Sequence, residues 1–547
     1  MPVALSLSRR HSFRAKVGAA LALILLADFL FFLQEPGWTI GLFALAWAAA
    51  LAAVVPAVPG NRPARLALAL AFLYAALLVD DPDPLGVLLF GTALSLAALL
   101  PRRDFDDAWR WALRLILHGV SAVIAPFADL ARLSRLPRPA RFGPRAVIRL
   151  VALPIAGSLI FLSLFAAANP LIESALAMVR VPQLDAETFL RIIFWALVLC
   201  ATWPMFRPRA IALRPAINGG ASPVDLPSVS TASIALSLAA FNLLFAVQNG
   251  LDLLFLWSGA PLPEGVTLAE YAHRGAYPLI ATALLAGLFV LVTLRPGSET
   301  AQRPMVRRLV VLWVGQNLLL VASSILRTID YVEAYSLTVL RLAALAWMAL
   351  VAVGLMLICW RMLRERSGAW LINNNALAAA IVLSAAAAVD LGSIAAEWNV
   401  RHAREVDATG AELDLCYLRS LGPSALVPLA RFEARLPDGA LRERVRHVRS
   451  RLLDRAQAGE GDWRQWTWRN ARRLAAARDA LGDAPPPAAP APWGRDCDGR
   501  PLPPQPAPPV PETAPEVSAP PEPPSGAPPS TGPAKPSAAP LTAGVER

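Results

Sequence analysis

Lysine is nearly missing from these 547 residues: Lys16 and Lys535 are the only two, and arginine carries the rest of the positive charge. Charge of either sign is scarce, with 17% of residues charged against 56% hydrophobic. Soluble domains carry about a quarter charged residues, so a soluble multidomain chain is excluded. Histidine occurs five times, at His11, His118, His273, His402 and His447, in separate segments. That scatter argues against a multi-histidine metal centre. The sequence also lacks GxxxxGK(S/T), HExxH, CxxC and GxSxG, and with them the usual signs of nucleotide hydrolysis, zinc proteolysis, dithiol redox work and serine hydrolysis. No cofactor is expected. The net charge of +11 invites a nucleic-acid reading. Arginines clustered between apolar runs explain it without nucleic acid, because cytoplasmic loops of membrane proteins are arginine- and lysine-rich.

What the chain has in abundance is apolar runs of membrane length, and the fold class expected is all-α, a polytopic helical membrane protein. About 20 apolar residues cross a bilayer as a helix. Runs of that kind are Val17–Leu33, Thr39–Val58, Ala64–Val79, Leu85–Leu100, Ala146–Ala168 and Phe189–Phe206. Five more follow: Thr231–Trp257, Tyr277–Leu294, Leu309–Leu326, Val339–Trp360 and Ala376–Trp398. The eleven connect through loops that alternate in charge. Arginine-rich segments precede or follow every second span, and acidic or mixed ones (Asp80, Asp81 and Asp83; Asp330 and Glu333) fall between. The expected orientation is a cytoplasmic N-terminus, "SRRHSFRAK" leading an uncleaved first span, and an extracytoplasmic C-terminus in a bacterial inner membrane.

Four regions are expected. Residues 1–145 hold four spans and a segment, "DAWRWALRLILHGVSAVIAPFADLARLSRL", whose arginines and tryptophans suit an amphipathic helix on the inner leaflet. If that segment crossed instead, the C-terminus would be cytoplasmic. Residues 146–398 hold seven spans. Residues 399–482 interleave arginine and leucine at helical spacing, with breaks at Gly422-Pro423, 437–439 and 459–462, and suggest a small exported helical domain. Residues 483–547 contain 22 of the 50 prolines and cannot bury a core, so a disordered tail is expected. Cys416 and Cys497 both fall in the exported part, where either a disulfide or two free thiols fits the sequence. The partners expected are the lipid bilayer and an envelope protein reached by the exported domain and tail.

Polar residues inside spans are the informative ones, since a charge at the bilayer centre costs about 2.5–3.5 kcal/mol. Asn242, Asn249 and Asp252 share a face of the seventh span, which serves either as hydrogen-bonding glue between helices or as a cavity wall. "EYAHRGAYPLI" places Glu270, Tyr271, His273 and Arg274 before the eighth span. "RTIDYVEAYSLTVLR" supplies Asp330, Tyr335 and Arg341 on the same side, and Asp390 lies in the last expected span, within reach of a pairing with Arg341. An outward-facing polar site and an ordinary charged collar both fit, with the collar favoured.

These segments also carry a resemblance. "EYAHRGAYPLIATALL", "RTIDYVEAYSLTVLRLAALAWM", "AAVDLGSIAAEWNVRHA" and "ELDLCYLRSLGPSALVPL" resemble successive blocks of a bacterial multipass membrane family labelled domain of unknown function 4173, related to the broader family 4153. The resemblance covers residues 150–429 and adds Asn399, Asp414, Tyr417 and Leu418 as family-like positions. It implies location and architecture and no activity. From sequence the leading reading is a non-enzymatic envelope scaffold or sensor. The alternatives are a permease using the seventh span's polar face, or an enzyme acting on an envelope lipid or polymer through Glu270, His273 and Arg274.

Overall fold

A computed structural model describes residues 2–134, 185–208, 231–258, 303–408, 410–482 and 487–503, with single positions within 154–161 and 282–289. The architecture is helical throughout these residues, with two isolated bridges and no strand. The first bundle elements are α1 (Pro2–Phe31), α2 (Thr39–Val54), α3 (Arg62–Asp80) and α4 (Pro84–Leu99). A bent pair follows, α5 (Ala108–Ala122) and α6 (Ala125–Ser134). Then come α7 (Ala186–Phe206), α8 (Thr231–Asp252), α9 (Pro304–Tyr335), α10 (Val339–Leu363) and α11 (Gly368–Ala388).

Among the described residues, seven helices are long and apolar enough to cross a membrane, or eight if the bent pair counts as one span. Of the eleven runs read from sequence, Ala146–Ala168 and Tyr277–Leu294 fall largely outside the described residues. Helix α1 ends at Phe31, with Arg14 and Lys16 just before its apolar run and Asp28 within it, and α2 has only 16 residues because the chain leaves the helix at Val55, just before Pro56. The last run also ends sooner than its hydropathy suggests. Helix α11 stops at Ala388, and Asp390 starts a new helix by accepting a hydrogen bond from the Ser393 N–H at 2.9 Å. A side-chain acceptor for an otherwise unpaired N–H sets such starts. Asn61, Asp83, Asp185, Thr338 and Ser367 do the same for α3, α4, α7, α10 and α11.

Small residues let the first helices approach closely, as in other membrane bundles. Ala44 and Ala48 of α2 and Ala67, Ala71 and Ala75 of α3 are buried, and a Cβ on Gly41 would lie 2.4 Å from the Val79 backbone nitrogen.

The bundle has two chemically different ends. At one, Arg207 stacks over Phe13, Arg102 donates to the Pro208 carbonyl, and Arg307 donates to the Leu363 carbonyl. The bent pair belongs to this end: the Ala108 N–H donates to Asn373 near the start of α11, and Asp129 meets Arg207 at 3.3 Å just past the end of α7. The pair is bent by 62°, and Ala108 at its start and Asp129 in its second helix both make their contacts at this end. Trp111 and His118 face inward, while Trp109, Ile116, Val120, Phe127 and Leu130 are exposed, the amphipathic pattern read from sequence.

The opposite end carries a helical cap: α12 (Leu391–Arg401), α13 (Leu415–Ser420), α14 (Leu426–Arg435), α15 (Ala440–Ala458) and α16 (Trp468–Leu481). Leu415, Leu418, Leu426, Leu429, Val445, Val448 and Leu452 form its own buried core. Glu433, fully buried between α14 and α15, pairs with Arg449 at 2.8 Å and Arg446 at 2.9 Å. Residues 487–503 also have a defined place on the cap, inside the region expected to be a loose tail. Cys416 and Cys497 are bonded, with Cα atoms 4.8 Å apart, and Arg444 pairs with Asp498. Gly499 has φ +76°, and a Cβ there would press on the Arg444 carbonyl at 2.8 Å. Residues 504–547 lie outside the described residues.

Candidate functional site

The seam between bundle and cap gathers most of the ionisable side chains that the sequence leaves unexplained. Helix α16 presents Arg469, Arg472 and Arg473 on one face, and all three meet acids from the bundle's loops. Arg469 pairs with Asp80 at 2.8 Å and Asp81 at 3.1 Å, and also donates to the Ala388 carbonyl at 3.2 Å. Arg472 reaches Asp80, and Arg473 binds Asp390 and donates to Ser424 at 3.0 Å. Partial burial opposes ionisation of Asp81 and of Asp390, with different outcomes. It pushes the Asp81 carboxyl above its ordinary range despite Arg473 and Arg469. At Asp390 the hydrogen bond and charge of Arg473 outweigh burial and hold the carboxyl below that range.

A second contact lies where α9 turns into α10. Ser336 has φ +71° and ψ +164°, backbone that favours glycine and costs another residue about 1–3 kcal/mol. Neighbours hold it there. Arg341 donates to the Tyr335 carbonyl at 2.7 Å and to that of Ser336, and its guanidinium lies 4.4 Å over the Tyr331 ring. Asn399 of the cap takes both backbone groups of Leu337, accepting from its N–H at 2.6 Å and donating to its carbonyl at 2.9 Å. The Tyr417 hydroxyl accepts from the Val339 N–H at 2.9 Å, and burial raises the pKa of that phenol. Asp414 caps α13 through the Tyr417 N–H, and Leu418 is fully buried.

Beside this turn is a cavity of about 340 Å³, formed by Glu333 and Ser336 of the bundle with Trp398, His402 and Gly410 of the cap. The His402 ring stacks on Trp398 with centroids 4.0 Å apart, and its Nδ1 lies 2.9 Å from the Trp398 carbonyl. A carboxylate and an imidazole facing one space have the residue types of acid–base chemistry. The volume sits near the lower limit of small-molecule sites. Among the described residues no group of three or more His, Cys, Asp or Glu side chains could hold a metal ion.

The third cluster is inside the bundle. Asn242 donates to the Leu309 carbonyl at 3.0 Å and Asn249 to that of Gln316 at 3.2 Å, so the polar face of α8 rests on α9. One turn further, Asp252 forms a buried ion pair with Arg327 and accepts from Gln248 at 3.1 Å. The side chains read from sequence as one polar site therefore divide. Asn249 and Asp252 join α8 to α9, Tyr335 and Arg341 brace the α9–α10 turn, and Asp330 lies one turn before Tyr335 on α9. Asp390 joins the cap seam. Its carboxylate binds Arg473, while Arg341 is spent on backbone carbonyls, so these two do not pair. Glu270, Tyr271, His273 and Arg274 lie outside the described residues.

Sequence reasoning missed the clamp of Arg469, Arg472 and Arg473. The signal was present: the spacing i, i+3, i+4 puts three arginines on one helical face, opposite the run "DDPD". It looked like one more arginine-rich surface.

Residues 66–432 match the family described as Domain of unknown function (DUF4153). The chain belongs to that family. The match reaches well upstream of the residue-150 limit read from the sequence blocks, and takes in α3 to α14 with the whole α9–α10 turn and Asn399. It supports the broader family and not the narrower domain of unknown function 4173. No curated protein and no solved structure matches the chain.

Proposed function

We propose that the protein is a non-enzymatic scaffold of the bacterial inner membrane, holding its cap on the extracytoplasmic side. The reading includes eleven crossings with the N-terminus inside. Arginines gathered at the end opposite the cap support that orientation, as does the Cys416–Cys497 bond, which suits an oxidising compartment. The observation that carries the proposal is how firmly the cap is mounted. Three separate contacts hold it: the arginine clamp of α16, the grip of Asn399 on Leu337, and the hydrogen bond from the Trp38 N–H to the Trp466 carbonyl at 2.8 Å. Residues 487–503, fastened to the cap, would then direct the proline-rich remainder of the chain away from the membrane toward an envelope protein.

The permease alternative draws less support, because the polar groups that would line its path are hydrogen-bonded between α8 and α9. The scaffold and enzyme readings part on one complementation experiment in a strain lacking the gene. A chain ending at Pro503 keeps the cap complete and should fail to restore function, whereas the Glu333→Gln, His402→Gln double variant should restore it. The opposite pattern would replace the scaffold by chemistry in the cavity.

A further inference from the structure

A chain of aromatic rings runs across the seam on the side of α1, and no function given so far uses it. Trp463 and Trp466 belong to the loop between α15 and α16, and Trp468 opens α16. Their rings continue onto the bundle: Trp468 to Trp466 at 6.1 Å, Trp466 to Trp38 at 6.1 Å, Trp38 to Trp463 at 6.4 Å, and Trp463 to Phe29 at 6.0 Å. Phe29 stands in the last turn of α1. It belongs to a stripe at i, i+4 and i+8 of α1, Leu21, Leu25 and Phe29, whose members are all more than half exposed. On a membrane helix such a stripe faces acyl chains. Trp463 and Trp468 stay 45% and 55% exposed, so they extend the stripe past the helix end rather than filling the cap core.

The charge in this loop is placed to match. Arg464 lies 4.7 Å over the Trp463 ring and 5.2 Å over Phe29, with Nη2 3.4 Å from the Phe29 carbonyl. Every other arginine of the seam described above pairs with a carboxylate or caps a turn, whereas Arg464 has no acidic side chain within ion-pairing distance among the described residues. The loop is held on the bundle by hydrogen bonds to three of its carbonyls, from the Gly37 N–H to Arg464 and the Trp38 backbone N–H to Trp466, both at 2.8 Å, and from the Trp38 indole N–H to Trp463 at 2.7 Å. Tryptophan is enriched at the membrane–water boundary, its ring body apolar and its N–H wet, and arginine at that depth meets lipid phosphate.

We propose that residues 462–468 are a membrane-interface contact of the cap: Trp463 and Trp468 enter the headgroup layer of the leaflet on the cap side, and Arg464 binds a lipid phosphate. The occupant is the bilayer surface itself, continuous with the lipid-facing stripe of α1. A cap seated both on protein and on lipid would feel changes in the headgroup layer, which a cap held by protein alone would not.

The test uses the full-length chain carrying Cys200→Ala and Cys359→Ala, reconstituted without reductant into phosphatidylglycerol-containing vesicles. Trp463→Cys, and separately Trp468→Cys, are labelled with an environment-sensitive fluorophore and compared with Asp438→Cys on the distal side of the cap. Headgroup-nitroxide lipid should quench the probes at 463 and 468 several-fold more than the probe at 438. Equal quenching at all three positions overturns the proposal. Adding Arg464→Gln should reduce quenching at 463 in phosphatidylglycerol vesicles. An unchanged value removes the phosphate role of Arg464, and quenching that is as strong in vesicles of zwitterionic lipid alone removes preference for an anionic headgroup.

Discussion

Asp252 and Arg327 show how little a residue's type alone decides. Read along the sequence, Asp252 was a candidate for a path through the membrane; in the fold it is 1% exposed and neutralised by an arginine 75 positions away. Removing one partner of a buried pair leaves an uncompensated charge and costs about 3–5 kcal/mol, while removing both costs much less. Asp252→Asn and Arg327→Gln should each lower the thermal midpoint in detergent, and the double variant should recover much of the loss. Strictly additive losses would mean that the two side chains do not depend on each other. Asp81 and Asp390 make the same point about charge state. The ionised form of Asp81 is disfavoured in the fold, so Asp81→Asn should leave stability at pH 7 equal to or above that of the native chain, and the difference should shrink as the pH falls and the carboxyl protonates. Asp390 has the opposite sign. Its contribution is complete above the ordinary carboxylate range, near pH 4, and is lost as the pH falls through its depressed value. Asp390→Asn should therefore cost about 1–2 kcal/mol at pH 7, with the gap closing only below pH 4. A thermal melt series across pH separates the two, and matching profiles would contradict the assignment of Arg473 to Asp390.

At the scale of elements, hydropathy and turn chemistry located the helices well, and their partners hardly at all. Span positions follow from runs of apolar residues, which is local information. The break at Asp390 was also local, an Asp at the start of "DLGSIAAEW" able to cap a helix, but hydropathy ran through it and hid the end of α11. What no window could reveal is that the loop before α2 supports the cap, because Gly37 and Gln465 lie more than 400 residues apart in sequence. Glycine is required at 37 for space, since even a methyl group there would overlap the loop backbone. Gly37→Ala should lift residues 462–466 from the bundle while leaving the cap core intact. Trypsin should then cleave after Arg464 faster than in the native chain under conditions where the helical circular dichroism is unchanged. Equal cleavage rates would mean that the loop tolerates displacement and is not an anchor.

For the molecule as a whole, the cap is unusually basic for a domain proposed to lie outside, and the two ends of the bundle bear on that conflict. The rule that places arginine inside acts on short loops near the spans, and long segments cross largely regardless of charge. The short connections that carry arginine, from Arg102 through Arg207 and Arg307 to Arg364, are at the end away from the cap, whereas Asp80, Asp81 and Asp83 are beneath it. The contacts of the bent pair α5–α6 with Asn373 and Arg207 lie on the arginine-rich side, which suits the proposed parity of the crossings. Within the cap, Arg442, Arg444, Arg446 and Arg449 pair with carboxylates of the cap or its extension, and Arg469, Arg472 and Arg473 pair with the acids at the seam. In a chain carrying Cys200→Ala and Cys359→Ala, Asp438→Cys on the cap and Glu365→Cys between α10 and α11 offer exposed thiols at the two ends. An impermeant maleimide should label position 438 in cells whose outer membrane alone has been opened, and position 365 only after the inner membrane is broken. Reversed labelling would put the cap, its proline-rich extension and the leaflet beside Trp463 in the cytoplasm. The scaffold would then face cytoplasmic partners, and the Cys416–Cys497 bond would have to survive in a reducing compartment.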